Sequence, residues 1–301
     1  METMNNMIPR ILAAAILSIA VAMQIAACGS TKGREKALRI AANNGETEKV
    51  KRLLWLRADV NAANEQGHTA LMAAARYSHS DVVEILVEHG ADIHAKTASG
   101  STALIEVVVW NWGSGGSVEV LRRRKKIVNL LVDNGADVSE AVRGCWGGDT
   151  EIMRILLEAG ADPNVRASRE WTPLMRVSMG GYVESAKLLI EYGADLDAKQ
   201  DMGESALSLA VEHCEPEVVA LLLESGAKID FDVNEFLRNP PSGFFEQKKF
   251  SEVIRALRKA GVEIDYGQIP MWDDSYVGPL LDSEETRRRE QAQPFLQFPI
   301  E

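Results

Sequence analysis

The chain has 301 residues, of which 46% are hydrophobic and 26% are charged, a balance that excludes wholesale disorder, collagen and multi-span membrane proteins. Its 44 Asp and Glu outnumber its 33 Lys and Arg, and the net charge of −11 argues against nucleic acid as a general partner, because such a field repels phosphate. The length fits about two globular domains or one elongated array.

The first element along the chain is an apolar run. Residues 11–27 are interrupted only by Ser18 and Gln24, and Arg10 stands just before them. These 17 residues are at the lower limit for a membrane span, so their length alone does not separate a signal peptide from a membrane anchor.

The end of this run, Ile25-Ala26-Ala27-Cys28, resembles the lipobox of bacterial lipoproteins. The resemblance implies that residues 1–27 are a lipoprotein signal peptide, that Cys28 becomes the acylated N-terminus, and that residues 28–32 form a tether. Each buried acyl methylene contributes about 0.8 kcal/mol to membrane anchoring. The alternative is an uncleaved anchor that ends in an incidental Cys. Gly29, in place of an Asp, favours the outer membrane facing the periplasm under the enterobacterial sorting rule.

Residues 33–266 contain a sequence repeat. The segment Gly-Ala-Asp, or a variant of it, recurs along this range, and three of the six steps between its successive third positions are 33 residues long. These third positions are Asp59, Asp92, Asp137, Asp162, Asp195, Lys228 and Glu263.

Each repeat predicts one turn and two helices. In the second repeat Gly67 permits a tight turn, Thr69 is a candidate N-cap, and the apolar residues after Ser80 follow the spacing of a buried helical stripe. Gly90 is expected to end the second helix, because glycine readily adopts positive φ.

This pattern resembles the ankyrin-repeat family, whose unit is a turn finger followed by two antiparallel helices in about 33 residues. The resemblance implies an all-α repeat solenoid of about seven ankyrin-type helix-turn-helix units, including atypical caps, with short β-turn fingers. Residues 267–301 would form a C-terminal tail or cap. The predicted units lie near 33–64, 65–97, 98–139, 140–166, 167–199, 200–230 and 231–266.

The middle of the repeat region is irregular. The third unit is 12 residues too long and the fourth is 8 too short, so Asn111–Gly116 is predicted to be a flexible loop and the junction a hinge. The basic run Arg122–Lys126 has two interpretations. A solvated helix face is favoured because apolar residues flank the run at helical spacing, and binding of an anionic partner is the alternative.

No metal, cofactor or catalytic site is predicted. The five His are scattered, and none stands four residues from another His or from a Cys, as a two-residue metal clamp on one helix would require. Cys145 and Cys214 fall in different units and are expected to remain thiols. Because no nucleophile or acid–base pair appears at matched spacing, no enzymatic activity is expected.

In the ankyrin family, partners bind across the fingers and the exposed positions of the first helices, on the concave side. Aromatic and Arg side chains there are typical of binding hot spots. Trp110 and Trp146 have an alternative interpretation, which is packing at the irregular junction. The positions implied by the resemblance are Gln66, His68, Arg76, Tyr77, Glu106, Trp110, Trp146, Arg169, Trp171, Arg176, Met179, Glu204, Glu212 and His213, with Ser99, Ser101, Val109 and Met202 beside them.

The expected function is therefore that of a lipid-anchored, periplasm-facing ankyrin-repeat protein of the bacterial cell envelope. It would act as a non-catalytic protein–protein interaction module with an unidentified protein partner. A sharper version of this hypothesis is an immunity-type inhibitor of a toxin. The alternative is an envelope structural or oxidative-stress protection factor that uses a free thiol.

Overall fold

A computed structural model describes residues 31–109, 117–139, 141–145, 149–238 and 244–264. The described residues fall into two compact units that divide between Asp137 and Val138. The predicted signal peptide, the loop Asn111–Gly116 and the predicted tail lie outside the described residues. The hinge predicted at the junction of the third and fourth units stays a prediction.

Unit 1 contains three helix pairs. The first helix begins at Thr31, so it takes in the last two residues of the predicted tether. The first helices of the three pairs pack side by side, and each pairs with the helix that follows it along the chain. The helices are α1 (Thr31–Asn43), α2 (Thr47–Trp55), α3 (Ala70–Arg76), α4 (Ser80–Glu88), α5 (Ala103–Val109) and α6 (Val118–Asp133).

Unit 2 continues the same pattern in four pairs, the first of which opens with the 3-10 helix Ala141–Gly144 instead of an α-helix. Within the described ranges there is no β-strand, only an isolated antiparallel bridge between Lys199 and Ser205. The helices are α7 (Thr150–Glu158), α8 (Pro173–Met179), α9 (Val183–Glu191), α10 (Ala206–Glu212), α11 (Pro216–Glu224), α12 (Val233–Arg238) and α13 (Phe244–Lys259).

The first helices α3, α8 and α10 begin at hydroxyl N-caps, as the sequence predicts. The Oγ1 of Thr69 accepts a hydrogen bond from the backbone N–H of Met72 at 3.3 Å, and Thr172 does the same for Met175. In unit 2, Ser205 caps α10 in the same way. Each cap supplies an acceptor for a backbone donor that has no partner within the helix.

Small and apolar side chains form the core of each unit. In unit 1, Ala74 and Ala75 of α3 are fully buried, which lets the neighbouring first helices approach closely. Val83 and Leu86 of α4 are also fully buried, at the spacing of one helical stripe. The all-α repeat architecture predicted from the sequence is confirmed. Among the described helices, none combines the length and apolarity that crossing a bilayer would need.

An asparagine joins the loops of successive repeats. The Nδ2 of Asn61 donates to the carbonyl oxygen of Gly90 at 3.2 Å, and its Oδ1 accepts from the backbone N–H of Asp92 at 2.7 Å. Asn164 forms the same pair of bonds in unit 2, with Gly193 and Asp195. Each asparagine therefore clips its own loop to the loop of the next repeat.

The fingers of neighbouring repeats also touch. In unit 1 the N–H of Ala98 donates to the carbonyl oxygen of Gln66 at 2.9 Å, and in unit 2 Asp201 donates to Arg169 at 3.2 Å. Gly67 has a positive φ of 83°, and a Cβ atom there would lie 2.9 Å from the Cα of Thr97 in the next finger. Glycine is therefore required at residue 67 both by backbone conformation and by the close approach of the two fingers.

The structure corrects the prediction that the whole basic run Arg122–Lys126 is a solvated helix face. Arg124 is only 1% exposed. Its guanidinium donates from Nε to the carbonyl oxygen of Val107 at 3.2 Å and from Nη2 to that of Val108 at 3.1 Å. The charge therefore binds the last carbonyls of α5, where the helix dipole favours a cation.

Three other members of the run, Arg122, Arg123 and Lys126, lie on the exposed face of the helix. Arg122 and Arg123 are exposed and both pair with Glu119 on the same helix. Lys126 reaches α4, where its Nζ lies 2.7 Å from the carboxylate of Glu84.

Candidate protein-binding surfaces

In unit 1, Arg76 and Glu106 form an ion pair between two first helices. The Nε of Arg76 on α3 lies 3.0 Å from the Oε2 of Glu106 on α5. The prediction that Glu106 is an exposed binding residue is wrong, because only 7% of it is accessible. Glu106 instead faces the neighbouring helix, where burial of its carboxylate is compensated by the guanidinium.

Three of the predicted residues of unit 1 line an open groove between α1 and α3, with a volume of about 560 Å³. Gln66 and His68 enter it from the finger, and Arg76 from the end of α3. Lys36 and Arg39 line it from α1, so its rim is basic.

Tyr77 follows α3 and is 46% exposed. Its ring stacks on that of His79, with 6.4 Å between centroids. His79 in turn is held by the carbonyl oxygen of Asn43 at 3.0 Å. Tyr77 thus presents an exposed aromatic side chain of a type that is enriched in binding hot spots.

In unit 2, Trp171 and Arg176 form one cluster. Trp171 is the last residue before the N-cap of α8, and Arg176 is one turn into that helix. The guanidinium carbon lies 5.3 Å from the centre of the indole ring, a distance typical of a cation–π contact. Partial burial lowers the pKa of Arg176 to about 10, so the group keeps its charge at neutral pH. Both side chains are half-buried.

A second groove lies in unit 2; it has a volume of about 550 Å³ and is acidic. Glu204 and Glu212 line it, together with Asp232 and the ring of Phe231. Met202 at the finger tip also lines it and is 75% exposed. A network through Gln200 orders this finger: its amide bonds to Glu204, and its Oε1 accepts from the N–H of Met202 at 2.6 Å.

The remaining predicted residues of unit 2 differ in accessibility. Arg169 is exposed and sits in the finger with a left-handed φ of 61°. Met179 is half-buried at the end of α8. His213 is exposed, and its Nδ1 contacts the carbonyl oxygen of Leu209 at 3.1 Å. Cys28, Trp110 and Trp146 lie outside the described residues.

Two groups of residues escaped the sequence analysis. Lys36 and Arg39 of α1 line the groove of unit 1. The position of α1 as the first helix of a repeat is the signal that could have identified them. Phe231 and Asp232 line the acidic groove, and their position just after the sixth repeat gave no comparable signal.

Within the described ranges, no group of three or more His, Cys, Asp or Glu side chains is placed to hold a metal ion. The described cysteines, Cys145 and Cys214, are not joined in a disulfide and are buried, at 4% and 5% exposure. The described surfaces offer charged grooves and accessible aromatic side chains, which suit recognition by shape, charge and aromatic contact.

Comparison with solved structures agrees with this architecture. One match, at 26% sequence identity and a TM-score of 0.55, is a chain in the complex of the predatory endopeptidase Bd0816 from Bdellovibrio bacteriovorus with the immunity protein Bd3460. It covers 63% of this chain and 97% of that chain. Another is the human ASB11 ankyrin repeat domain, at 23% identity and a TM-score of 0.59, covering 76% of this chain and 99% of that chain, a likeness of fold alone. No curated protein sequence matches the chain.

The family model for ankyrin repeats (3 copies) matches the sequence three times, over residues 18–97, 38–142 and 139–233. These matches span most of the chain and coincide with the stacked helix pairs, N-caps and finger contacts described above. The chain therefore belongs to the ankyrin-repeat family.

Proposed function

We propose that this chain is a non-catalytic inhibitor that binds a toxin in the bacterial cell envelope and is tethered there through a lipid on Cys28. The stacked pair Trp171–Arg176 is the observation that carries the binding part of the proposal. An indole and a guanidinium held against each other present a large contact area that loses little side-chain freedom on binding.

The charges of the grooves support a protein as the partner. In unit 1 the groove beside His68 is rimmed by Lys36 and Arg39, whereas in unit 2 the groove beside Met202 is rimmed by carboxylates. Charged rims of this kind favour a partner of complementary charge and accelerate its association. Each unit therefore offers a different electrostatic pattern for recognition.

The complex of the endopeptidase Bd0816 with the immunity protein Bd3460 supports an inhibitory role. The matched chain of that complex is covered almost completely, at 26% identity. Because fold alone does not fix function, this likeness gives the class of partner to test first, an endopeptidase, and leaves its identity to experiment.

Binding is tested with variants of the finger side of unit 2. A photo-activated cross-linking residue at Met202 should capture the partner in cells, while the same residue at Tyr192, which is 39% exposed at the end of α9, is the control. The captured protein is then purified. Trp171→Ala with Arg176→Ala should lower its affinity by about 100-fold, whereas Tyr192→Ala should leave it unchanged.

Inhibition is tested with the same purified partner. If the captured protein is an endopeptidase, a stoichiometric amount of the chain should abolish its activity, and the Trp171/Arg176 double variant should require a much higher concentration. Capture from Tyr192 and not from Met202, or unchanged affinity in the double variant, would exclude this surface.

The lipid tether is supported by the apolar run 11–27 and by the residues Ile25-Ala26-Ala27-Cys28 that close it. Outer-membrane placement facing the periplasm follows only from Gly29. Cells fed radiolabelled palmitate should yield labelled protein, and Cys28→Ser should remove both the label and the cleavage before residue 28. An unlabelled wild-type protein would favour the uncleaved anchor. Separation of the two membranes then gives the location.

A thiol-based protective function is less well supported by the described residues. A reactive thiol needs access to its substrate, and both Cys145 and Cys214 are buried.

A further inference from the structure

The first helix pair carries a charge opposite to that of the whole protein. Between Thr31 and Ala58 there are eight Lys and Arg and three Glu, which gives this segment a net charge of +5 in a chain of net charge −11. Such a reversal at one end of an acidic protein creates a local field that attracts an anionic surface.

An exposed tryptophan lies among these basic residues. Trp55 is 67% exposed and ends α2. Lys51 and Arg52 precede it by four and three residues, so the three side chains share one face of the helix. The same face borders an open groove of about 950 Å³, whose lining also includes the carboxylate of Glu48, 3.0 Å from the Nζ of Lys51. A large indole combined with flexible cations is the composition of side chains that anchor proteins at the membrane–water interface.

This basic face is limited to the first helix pair. The corresponding outer face of α4 carries Asp81, Glu84 and Glu88. On α6, Lys126 is engaged with two of these carboxylates, at 2.7 Å from Glu84 and 3.7 Å from Asp81. The part of unit 1 that suits an anionic surface is therefore the part adjoining the apolar N-terminal run.

The short connection between Cys28 and α1 keeps this face close to the bilayer. Only two residues separate Cys28 from the start of α1 at Thr31. An extended chain of this length reaches about 10 Å, which is comparable to the Debye length at physiological salt. Whether Cys28 is acylated or the run 11–27 stays in the bilayer, the first helix pair is held where its charge acts on the lipid headgroups.

We propose that the face of α2 formed by Lys51, Arg52 and Trp55 docks on anionic phospholipid headgroups, with the indole in the interfacial layer. This inference rests on the proposed N-terminal tether and specifies what that tether brings to the membrane. The lipid chains supply the attachment, and the face of α2 fixes which side of the first helix pair meets the bilayer.

The test uses the full chain, reconstituted through its own apolar run into phosphatidylcholine vesicles with or without phosphatidylglycerol. Phospholipids brominated near the headgroup quench nearby tryptophan fluorescence. In the anionic vesicles, Trp55→Phe should remove most of the quenchable emission, whereas Trp171→Phe should remove none. In vesicles of phosphatidylcholine alone, quenching of Trp55 should fall sharply.

The contribution of the basic side chains is tested with the same measurement, the quenching of Trp55 fluorescence. Lys51→Gln and Arg52→Gln should each lower the ratio of docked to undocked protein by about fivefold, since a basic residue near an anionic surface has about that effect. Arg122→Gln and Arg123→Gln remove the same charge from the exposed face of α6 and should leave the ratio unchanged. Added salt should weaken docking of the wild type.

Trp55 that stays unquenched in the anionic vesicles would overturn the docking, and an acidic protein would become the occupant to seek. Quenching that is equal in both vesicle types and insensitive to Lys51 and Arg52 would also overturn it. The chain retains residues 11–27 here, so it is attached with or without acylation. Palmitate labelling of Cys28 reports separately on the lipid tether.

Discussion

Asn164 holds the loop at Gly193 through its side-chain amide, whose Nδ2 donates to the Gly193 carbonyl oxygen at 3.0 Å while Oδ1 accepts from the next repeat's Asp195. The same arrangement joins Asn61 to Gly90 in unit 1. Neighbour contacts of this kind stabilise repeat proteins, in which each repeat contacts only the repeats beside it.

We expect Asn164→Ala to lower the free energy of unfolding by about 1–3 kcal/mol, because two hydrogen bonds are lost at once. Asn164→Asp keeps the acceptor and loses the donor, so it should be intermediate. Urea unfolding followed by circular dichroism measures both. Asn134→Ala is the control, since among the described residues the Nδ2 of Asn134 donates within its own helix pair, to the carbonyl oxygen of Leu130. An Asn164→Ala variant as stable as the wild type would exclude the clip.

Substitutions at two glycines of unit 1 distinguish the effect of backbone strain on stability from the effect of contact between neighbouring fingers. Gly67 and Gly100 have nearly equal φ values of 83° and 82°, but a Cβ atom at Gly100 would meet nothing within 4 Å. Gly100→Ala should therefore lower stability by about 1–2 kcal/mol through backbone strain alone. Gly67→Ala should lower it by at least about 1 kcal/mol more, because the added methyl group meets Thr97. Equal effects in thermal unfolding would show that the fingers can separate.

Arg124 is expected to be a structural residue. Arg124→Met should lower the unfolding free energy of unit 1 by about 2–3 kcal/mol, since the carbonyl oxygens of Val107 and Val108 lose a charged donor. The neighbouring Arg123→Met removes an exposed arginine that pairs with Glu119 and should change stability by less than about 1 kcal/mol. Equal effects in the two variants would restore the solvated-face interpretation of the basic run.

A pH dependence follows from Asp197. Hydrogen bonds from the side chain and backbone of Lys228 lower the pKa of Asp197 below its ordinary value of 3.8. This stabilisation is present above the ordinary pKa and is lost as the pH falls through the lower pKa of the folded state. Asp197→Asn should thus make the free energy of unfolding fall less steeply below about pH 4. Lys228→Met should act in the same direction, and denaturant unfolding across this range measures both. A slope unchanged in both variants would contradict the pairing.

The buried thiols give a kinetic prediction. In the Cys28→Ser chain, a thiol reagent should react with Cys145 and Cys214 only as fast as local opening exposes them, and quickly once denaturant is added. Rapid labelling of either thiol in the folded protein would instead favour the protective, thiol-based function.

The regular parts of the fold could be predicted from the sequence because their signals are local. Thr69, Thr172 and Ser205 precede apolar helical stripes, and the structure has an N-cap at each. The contact made by the asparagine could also be predicted from the repeat pattern, since Asn61 and Asn164 each stand two residues after the Asp of a repeat.

Arg124 and Glu106 were misjudged because their burial depends on contacts across the irregular third unit. A charged residue on a predicted helix is normally assigned to solvent, since desolvation of a charge opposes burial. Only the approach of α6 to the last carbonyls of α5, and of α3 to α5, supplies the partners that compensate it. The spacing of residues in the sequence does not predict how closely these helices approach one another.

The asparagine clip also has a direction. In both units the amide belongs to the earlier repeat and the loop that it grips belongs to the later one. At these two junctions the asparagine lies N-terminal to the loop that it binds, so the earlier repeat supplies the side chain that receives the later one. A hairpin added on the C-terminal side of either asparagine therefore finds its hydrogen-bonding partner already in the preceding loop.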